Sequence, residues 1–268
     1  MHPLEAEDLE RYANEYGVAP IVAQRDYAAC RIAFAISRDK TLCDSVAFKG
    51  GFVLRNGYHS ARASKDIDAT VGRKAESLDT EQLRTQISRR CKDLQLRFQR
   101  SPVTTGVDSI DLGTIGYRGP LGAAKLVLEL SRREDWIRPL SDVRIDRFSI
   151  PSFTIRCLCL EEMIAEKWRC LLQRSPNRPG DPYDLWDLWE RVAALQEASG
   201  DPISETTVRD LVPRKVGDGS LSRMEENLGA YRRGWERERG NVLPEDAPDF
   251  EVVAIAVRDA ARTWTAWK

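Results

Sequence analysis

Histidine is nearly absent from this chain of 268 residues, which holds only His2 and His59. With one of them at the terminus, neither a His-rich zinc centre nor a Ser-His-Asp triad finds support. The six cysteines (Cys30, Cys43, Cys91, Cys157, Cys159 and Cys170) form no C-x-x-C pair, so they read as reduced thiols used for packing. No apolar run approaches the roughly 18 residues that span a bilayer, and the mean hydropathy is −0.46, which excludes a membrane protein. The first residues, MHPLEAEDLERY, have neither a basic n-region nor an apolar h-region. No export signal is therefore expected, and a cytoplasmic location is. Internal repeats and low-complexity segments are also missing.

Hydrophobic residues at 42% and charged residues at 31% describe a globular chain of one long domain or two packed ones. The net charge of −1 hides an asymmetry. Residues 51–100 carry 11 Lys/Arg against 6 Asp/Glu, whereas residues 151–268 carry 17 against 21. The basic segment suits an anionic substrate better than the acidic one does, although solvated helix faces would give the same counts.

Periodicity predicts helices over 4–15 and 19–38, then a short strand at 46–49 broken by Gly50-Gly51 and a helical turn or two after it. Residues 66–71, DIDATV, alternate charged and apolar groups as a strand does. A helix follows over 78–94, capped near Asp79, with strands at 94–99, 107–117, 123–130, 143–148 and 153–158. From about residue 160 the texture becomes helical: 160–174, then the loop SPNRPGDP, then 183–195, 204–215, 220–239 and 249–267. The expectation is an α+β chain, with a mixed sheet flanked by helices in residues 1–155 and a helical, bundle-like domain in residues 156–268.

Chemistry concentrates in AFKGGFVLRNGYHSARASKDIDATVG, residues 47–72. Side chains two apart on a strand point to one face, so Asp66 and Asp68 can meet one cation while Ile67 enters the core. Paired carboxylates suit Mg²⁺, a hard ion that shares its shell with substrate phosphates. The Gly50-Gly51 turn lets backbone amides come close to a phosphate.

These residues resemble the polymerase-beta-type nucleotidyltransferase superfamily, and more narrowly the AbiEii/AbiGii-type nucleotidyltransferase toxins, a group that includes the MenT toxins. The resemblance rests on KGG (49–51), ARASKDID (61–68), KLVLELSRRE (125–134), LEEMIAEKWRCLLQR (160–174) and DPYDLWDLW (181–189). It implies a minimal mixed sheet with a helical C-terminal part. It also implies transfer of a nucleoside monophosphate from an NTP with release of pyrophosphate, to the 3′ end of tRNA in the MenT branch, and a cognate antitoxin as partner. Transfer to a protein or small molecule, or a catalytically silent binding role, are the rival readings.

The resemblance also assigns residues. A two-ion Mg²⁺ site would be held by Asp66, Asp68 and a third carboxylate from a neighbouring strand, here Glu129. Glu129 could instead pair with Lys125, four residues away on the same face. Ser64 would either hydrogen-bond a triphosphate oxygen or cap the strand end. Lys49 and Arg62 are phosphate contacts or solvated residues. Lys167 would neutralise the leaving pyrophosphate as a point charge. Asp181 and Asp184 would orient that lysine or act near the acceptor hydroxyl, with Asp181 also fitting a helix N-cap ahead of Pro182. Trp186 and Trp189 read as core. For an RNA acceptor, the expected basic surface is Arg84, Arg89, Arg90, Lys92, Arg97 and Arg100, with Asp93 as the sole counter-charge.

Overall fold

The computed structural model describes residues 4–72, 80–99, 109–131, 136–173, 178–199, 203–217 and 219–267. It divides into two compact units, residues 1–158 and 159–268. The predicted cap at Asp79 and the residue Arg100 lie outside the described residues. Among the described residues, no helix is long and apolar enough to cross a membrane.

The first unit opens with α1 (Ala6–Glu15) and α2 (Pro20–Ser37). Proline at the first position of α2 starts it with a pre-set φ. A short α3 (Lys40–Ser45) follows, which the sequence reading missed. Its signal was Asp39, whose carboxylate accepts the Leu42 N–H at 3.3 Å as an N-cap. Then come β1 (Val46–Lys49), α4 (Gly50–Asn56), β2 (Asp66–Val71), α5 (Thr80–Arg90), β3 (Arg97–Phe98), β4 (Ser109–Gly119), β5 (Gly122–Ser131), β6 (Ser141–Ile145) and β7 (Phe153–Cys157).

The seven strands form one mixed sheet in the order β3-β4-β5-β2-β1-β7-β6. β2 runs antiparallel to β1 and parallel to β5, and β1 runs parallel to β7. Alternation sorts the strands onto two faces. Phe48, Ile67, Ala69, Leu126, Leu128 and Leu130 are buried on one of them, and α2 packs against β5 and β7. The polar residues of β2 and β5 take the other face. The β4–β5 hairpin is held at its tip by Gln24 of α2, whose amide oxygen accepts the Leu121 N–H at 2.7 Å and whose Nε2 donates to the Gly122 carbonyl at 3.3 Å.

The second unit is helical: α6 (Leu160–Gln173), α7 (Gly180–Glu190), α8 (Val192–Ser199), α9 (Glu205–Val216), α10 (Leu221–Trp235) and α11 (Phe250–Trp264). Trp168, Trp235 and Trp264 are its largest buried side chains. The helix expected over 183–195 is two. The chain leaves helical geometry at Arg191 (φ −104°, ψ 10°), whose guanidinium turns back onto Asp187 at 2.6 and 2.7 Å. Helix α7 also begins earlier than expected, at Gly180, and Pro179 occupies the cap position. Asp181 therefore lies inside the first turn and is not the N-cap.

Candidate active site

The local sequence makes β2 a strand with one wet face. Asp66 and Asp68 are half-buried, and Ile67 between them is fully buried. The parallel register sets Asp66 opposite Val127 and Asp68 opposite Glu129, while the antiparallel register sets Lys49 opposite Asp68. Paired residues on neighbouring strands project to the same side, so Asp66, Asp68, Glu129 and Lys49 share one face. Glu129 does not pair with Lys125. Four residues along a strand is about 13 Å, beyond ion-pair reach.

The Gly-Gly turn stands against these carboxylates. Gly50 has φ +72°, a left-handed conformation that glycine adopts without strain, and a Cβ there would sit 2.8 Å from Asp68 Oδ2. A Cβ on Gly51 would overlap the Arg62 guanidinium and lie 3.0 Å from Ser64 Oγ. Both glycines are thus places where backbone must approach a charged or polar side chain. Arg62 is buried and donates to the Ala63 carbonyl at 2.8 Å. Ser64 donates its single hydroxyl proton to the Asp66 carbonyl at 2.8 Å, the strand-end role. While that bond stands, the hydroxyl has no proton left for a phosphate.

The residues that hold this loop escaped the sequence reading. Arg55, fully buried, donates to the carbonyls of Ser60 and Ala61 and pairs with buried Asp26 at 3.0 Å. Arg25 donates to the Ser64 carbonyl at 3.1 Å. Burial pushes the Asp26 carboxyl up while Arg55 opposes it. Two arginines of the flanking helices therefore fix the carbonyls that lead into Asp66. The one sequence signal was Asp26, an acidic residue within the buried helix α2.

The donor set on this face is carboxylate oxygen, the chemistry that Mg²⁺ takes. Gly50 leaves open the space beside Asp68 that a Cβ would fill. Among the described residues, no three His, Cys, Asp or Glu side chains gather closely enough to hold a metal. Glu129 of β5 is the third carboxylate of the face that carries Asp66 and Asp68.

In the helical unit, Lys167 is buried, with Nζ 2.7 Å from Asp184 Oδ2 and 3.5 Å from Asp181 Oδ1. Asp184 is wholly buried. One lysine here faces two carboxylates, so the cluster carries no surplus positive charge. Trp186 and Trp189 are half-buried and make edge contacts with Tyr183 and Trp264 at 5.0 and 5.1 Å.

Of the basic surface expected over 84–100, one member is paired and the counter-charge is engaged elsewhere. Arg84 pairs with Glu81 at 2.6 Å. Asp93 is taken by Arg31 at 2.7 Å and by the Tyr27 hydroxyl at 3.3 Å. Arg97 belongs to β3 and the sheet. Glu81 lies just outside the basic segment, and Arg31 is distant from it in sequence.

A family model described as the nucleotidyl transferase AbiEii toxin of the type IV TA system matches residues 32–261. No curated protein sequence matches the chain. Among solved structures, MenT4, a nucleotidyltransferase toxin from Mycobacterium tuberculosis H37Rv, is similar with a TM-score of 0.60 at 18% identity, over 98% of this chain and 100% of its own. JHP933 from Helicobacter pylori is similar with a TM-score of 0.58 at 15% identity, over 91% of this chain and 92% of its own. At these identities the likeness is one of fold.

Proposed function

Since the chain belongs to the AbiEii family of nucleotidyltransferase toxins of type IV toxin–antitoxin systems, we propose that it moves a nucleoside monophosphate from an NTP to the 3′ end of an RNA, with tRNA as the acceptor, and that a cognate antitoxin restrains it. The observation that carries this reading is the face shared by Asp66, Asp68 and Glu129 beside the Gly50 turn. Mg²⁺, when bound, supplies Lewis-acid stabilisation of the oxygens that attack and leave phosphorus. Asp66 and Asp68 are its holders, with Glu129 as third.

The chain's own residues supply the rest. Lys49 brings a positive charge to the face that carries Asp68. Arg62, against Gly51, brings a second to the turn. Ser64 serves by fixing the start of β2. For Lys167, Asp181 and Asp184 we retain the roles that the family resemblance assigned, compensation of the leaving pyrophosphate and orientation of the lysine. Their mutual neutralisation gives them a structural task as well.

The test uses the full chain with labelled NTPs, Mg²⁺ and either total tRNA or total protein. Label entering RNA, and lost in folded Asp66→Ala and Asp68→Ala, is the expected result. Each loss should reach several orders of magnitude, because a metal ligand contributes several kcal/mol at the transition state. Label in protein would replace the RNA acceptor. Undiminished turnover in either folded variant would remove the carboxylate pair from the chemistry.

A further inference from the structure

The same sheet face carries a second feature. At the β3–β4–β5 end lies a cavity of about 230 Å³ lined by Gln95, Arg97, Gly116, Arg118, Ala123 and Lys125, among others. Its position follows from register. Arg97 is opposite Gly116, Gly116 is opposite Lys125, and Arg118 is opposite Ala123. Lys125 is two residues from Val127, the partner of Asp66. Arg97, Arg118 and Lys125 therefore project on the side that Asp66, Asp68 and Glu129 occupy. Crossing one strand spacing and two residues puts Lys125 roughly 8 Å from Asp66, measured between backbones.

The lining is built for an anion. Three exposed cations rim it, and among the described residues none of them has a carboxylate within ion-pair distance. Gly116 and Ala123 keep its floor low. Gln95 at its wall holds a left-handed backbone, φ 47°, unusual for a residue with a side chain. Such conformations persist where the surroundings over-determine them, and they gather at binding sites. Like charges left together without counter-charge repel one another, and a bound phosphate relieves that cost.

Sheet order decides which phosphate. The Gly50 turn lies on the β1 side of β2, and the cavity lies on the β5–β4–β3 side. In-line displacement at phosphorus requires the attacking oxygen and the leaving group to stand on opposite sides. With the triphosphate at the Gly-Gly turn, the acceptor enters from the side of the cavity. Resting on the nucleotidyl-transfer reading above, we propose that Arg97, Arg118 and Lys125 form a subsite for a backbone phosphodiester of the RNA acceptor, close behind its 3′ end. The contact is to phosphate, so it reads no sequence.

The test is Arg118→Glu with Lys125→Glu, and separately Arg118→Ala with Lys125→Ala, both at exposed positions and both checked by thermal melting against wild type. A fluorescent single-stranded RNA oligonucleotide and a non-hydrolysable NTP are titrated in parallel. The charge reversal should weaken oligonucleotide binding by at least about tenfold, and the alanine pair should lower the slope of log affinity against log salt by about 0.7 per cation removed. NTP affinity should stay within about twofold. Unchanged oligonucleotide binding overturns the subsite. Weakened NTP binding with RNA binding intact also overturns it, by assigning the cavity to the triphosphate. The transfer reading fails on a different result, undiminished labelling by Asp66→Ala, so the two ideas fall separately.

Discussion

Gly50 shows how one hydrogen atom in place of a methyl supports the site. Its φ of +72° costs an L-residue about 1–2 kcal/mol, and the added Cβ would press on the Asp68 carboxylate. Gly50→Ala should therefore lower stability modestly yet suppress transfer far more, because the methyl displaces the Asp68 oxygen proposed to hold the metal. Melting temperature and single-turnover rate, measured on the same preparation, test this. A rate that falls only in proportion to the folded fraction would show that Asp68 tolerates the intrusion. The thiols make a second case. Burial pushes Cys91 up to about 12, with Asp93 reinforcing and Arg31 opposing, and burial pushes Cys159 up to about 11. Both remain protonated through the physiological range, so alkylation at pH 8 should be slow in the native protein. The half-exposed Cys43 should react ahead of Cys91, and the buried Cys30, Cys91, Cys157 and Cys170 should react only after denaturation. Rapid native labelling of Cys91 by mass spectrometry would contradict its packing.

Among the elements, buried ion clusters tie the helices of the second unit. Lys215 of α9 reaches Glu162 and Glu166 of α6 at 2.8 and 2.9 Å. Burial alone would depress its pKa, but the charge of Glu166 and the hydrogen bonds that Lys215 donates to both glutamates outweigh that and raise it. The clamp's contribution is complete below the ordinary lysine value of 10.5 and is lost as pH rises through the higher folded value. Between pH 9 and 12 the melting temperature of wild type should fall more steeply than that of Lys215→Met, and parallel curves would refute the linkage. Lys167→Ala strands two buried carboxylates and should cost about 3–5 kcal/mol. Lys167→Arg should recover part of that stability, as calorimetry can measure.

The same scale shows what sequence could reveal. Asp-Ile-Asp announces its face because a strand has period two, and Gly-Gly after β1 announces a turn because few residues tolerate such backbone. Glu129 was assigned by the resemblance of KLVLELSRRE to the family. What stayed hidden depends on partners distant in the chain. Arg55 and Arg25 grip carbonyls of the 60–64 loop, and Arg31 claims Asp93 from another element. The start of α7 at Gly180 overrides a cap pattern that Asp181-Pro182 satisfied locally.

For the whole molecule, the register of the sheet matters more than any single contact. Asp68 and Glu129, sixty-one residues apart, become neighbours only through the parallel pairing of β2 with β5. Slipping β5 by one residue would turn Glu129 into the core and Leu128 and Leu130 out to solvent. The buried leucines thus enforce the geometry of the carboxylates. Substituting Leu128 with Ala should cost about 2–5 kcal/mol and reduce transfer beyond that loss by loosening the register, which a comparison of denaturant midpoint with rate can resolve.

That long-range pairing also gives the chain a timetable. During synthesis, the first 121 residues emerge with Asp66 and Asp68 already present but with no strand β5 for β2 to join. Parallel pairing across so long a separation is slow to form. The carboxylate face therefore stays incomplete until β5 has cleared the exit tunnel.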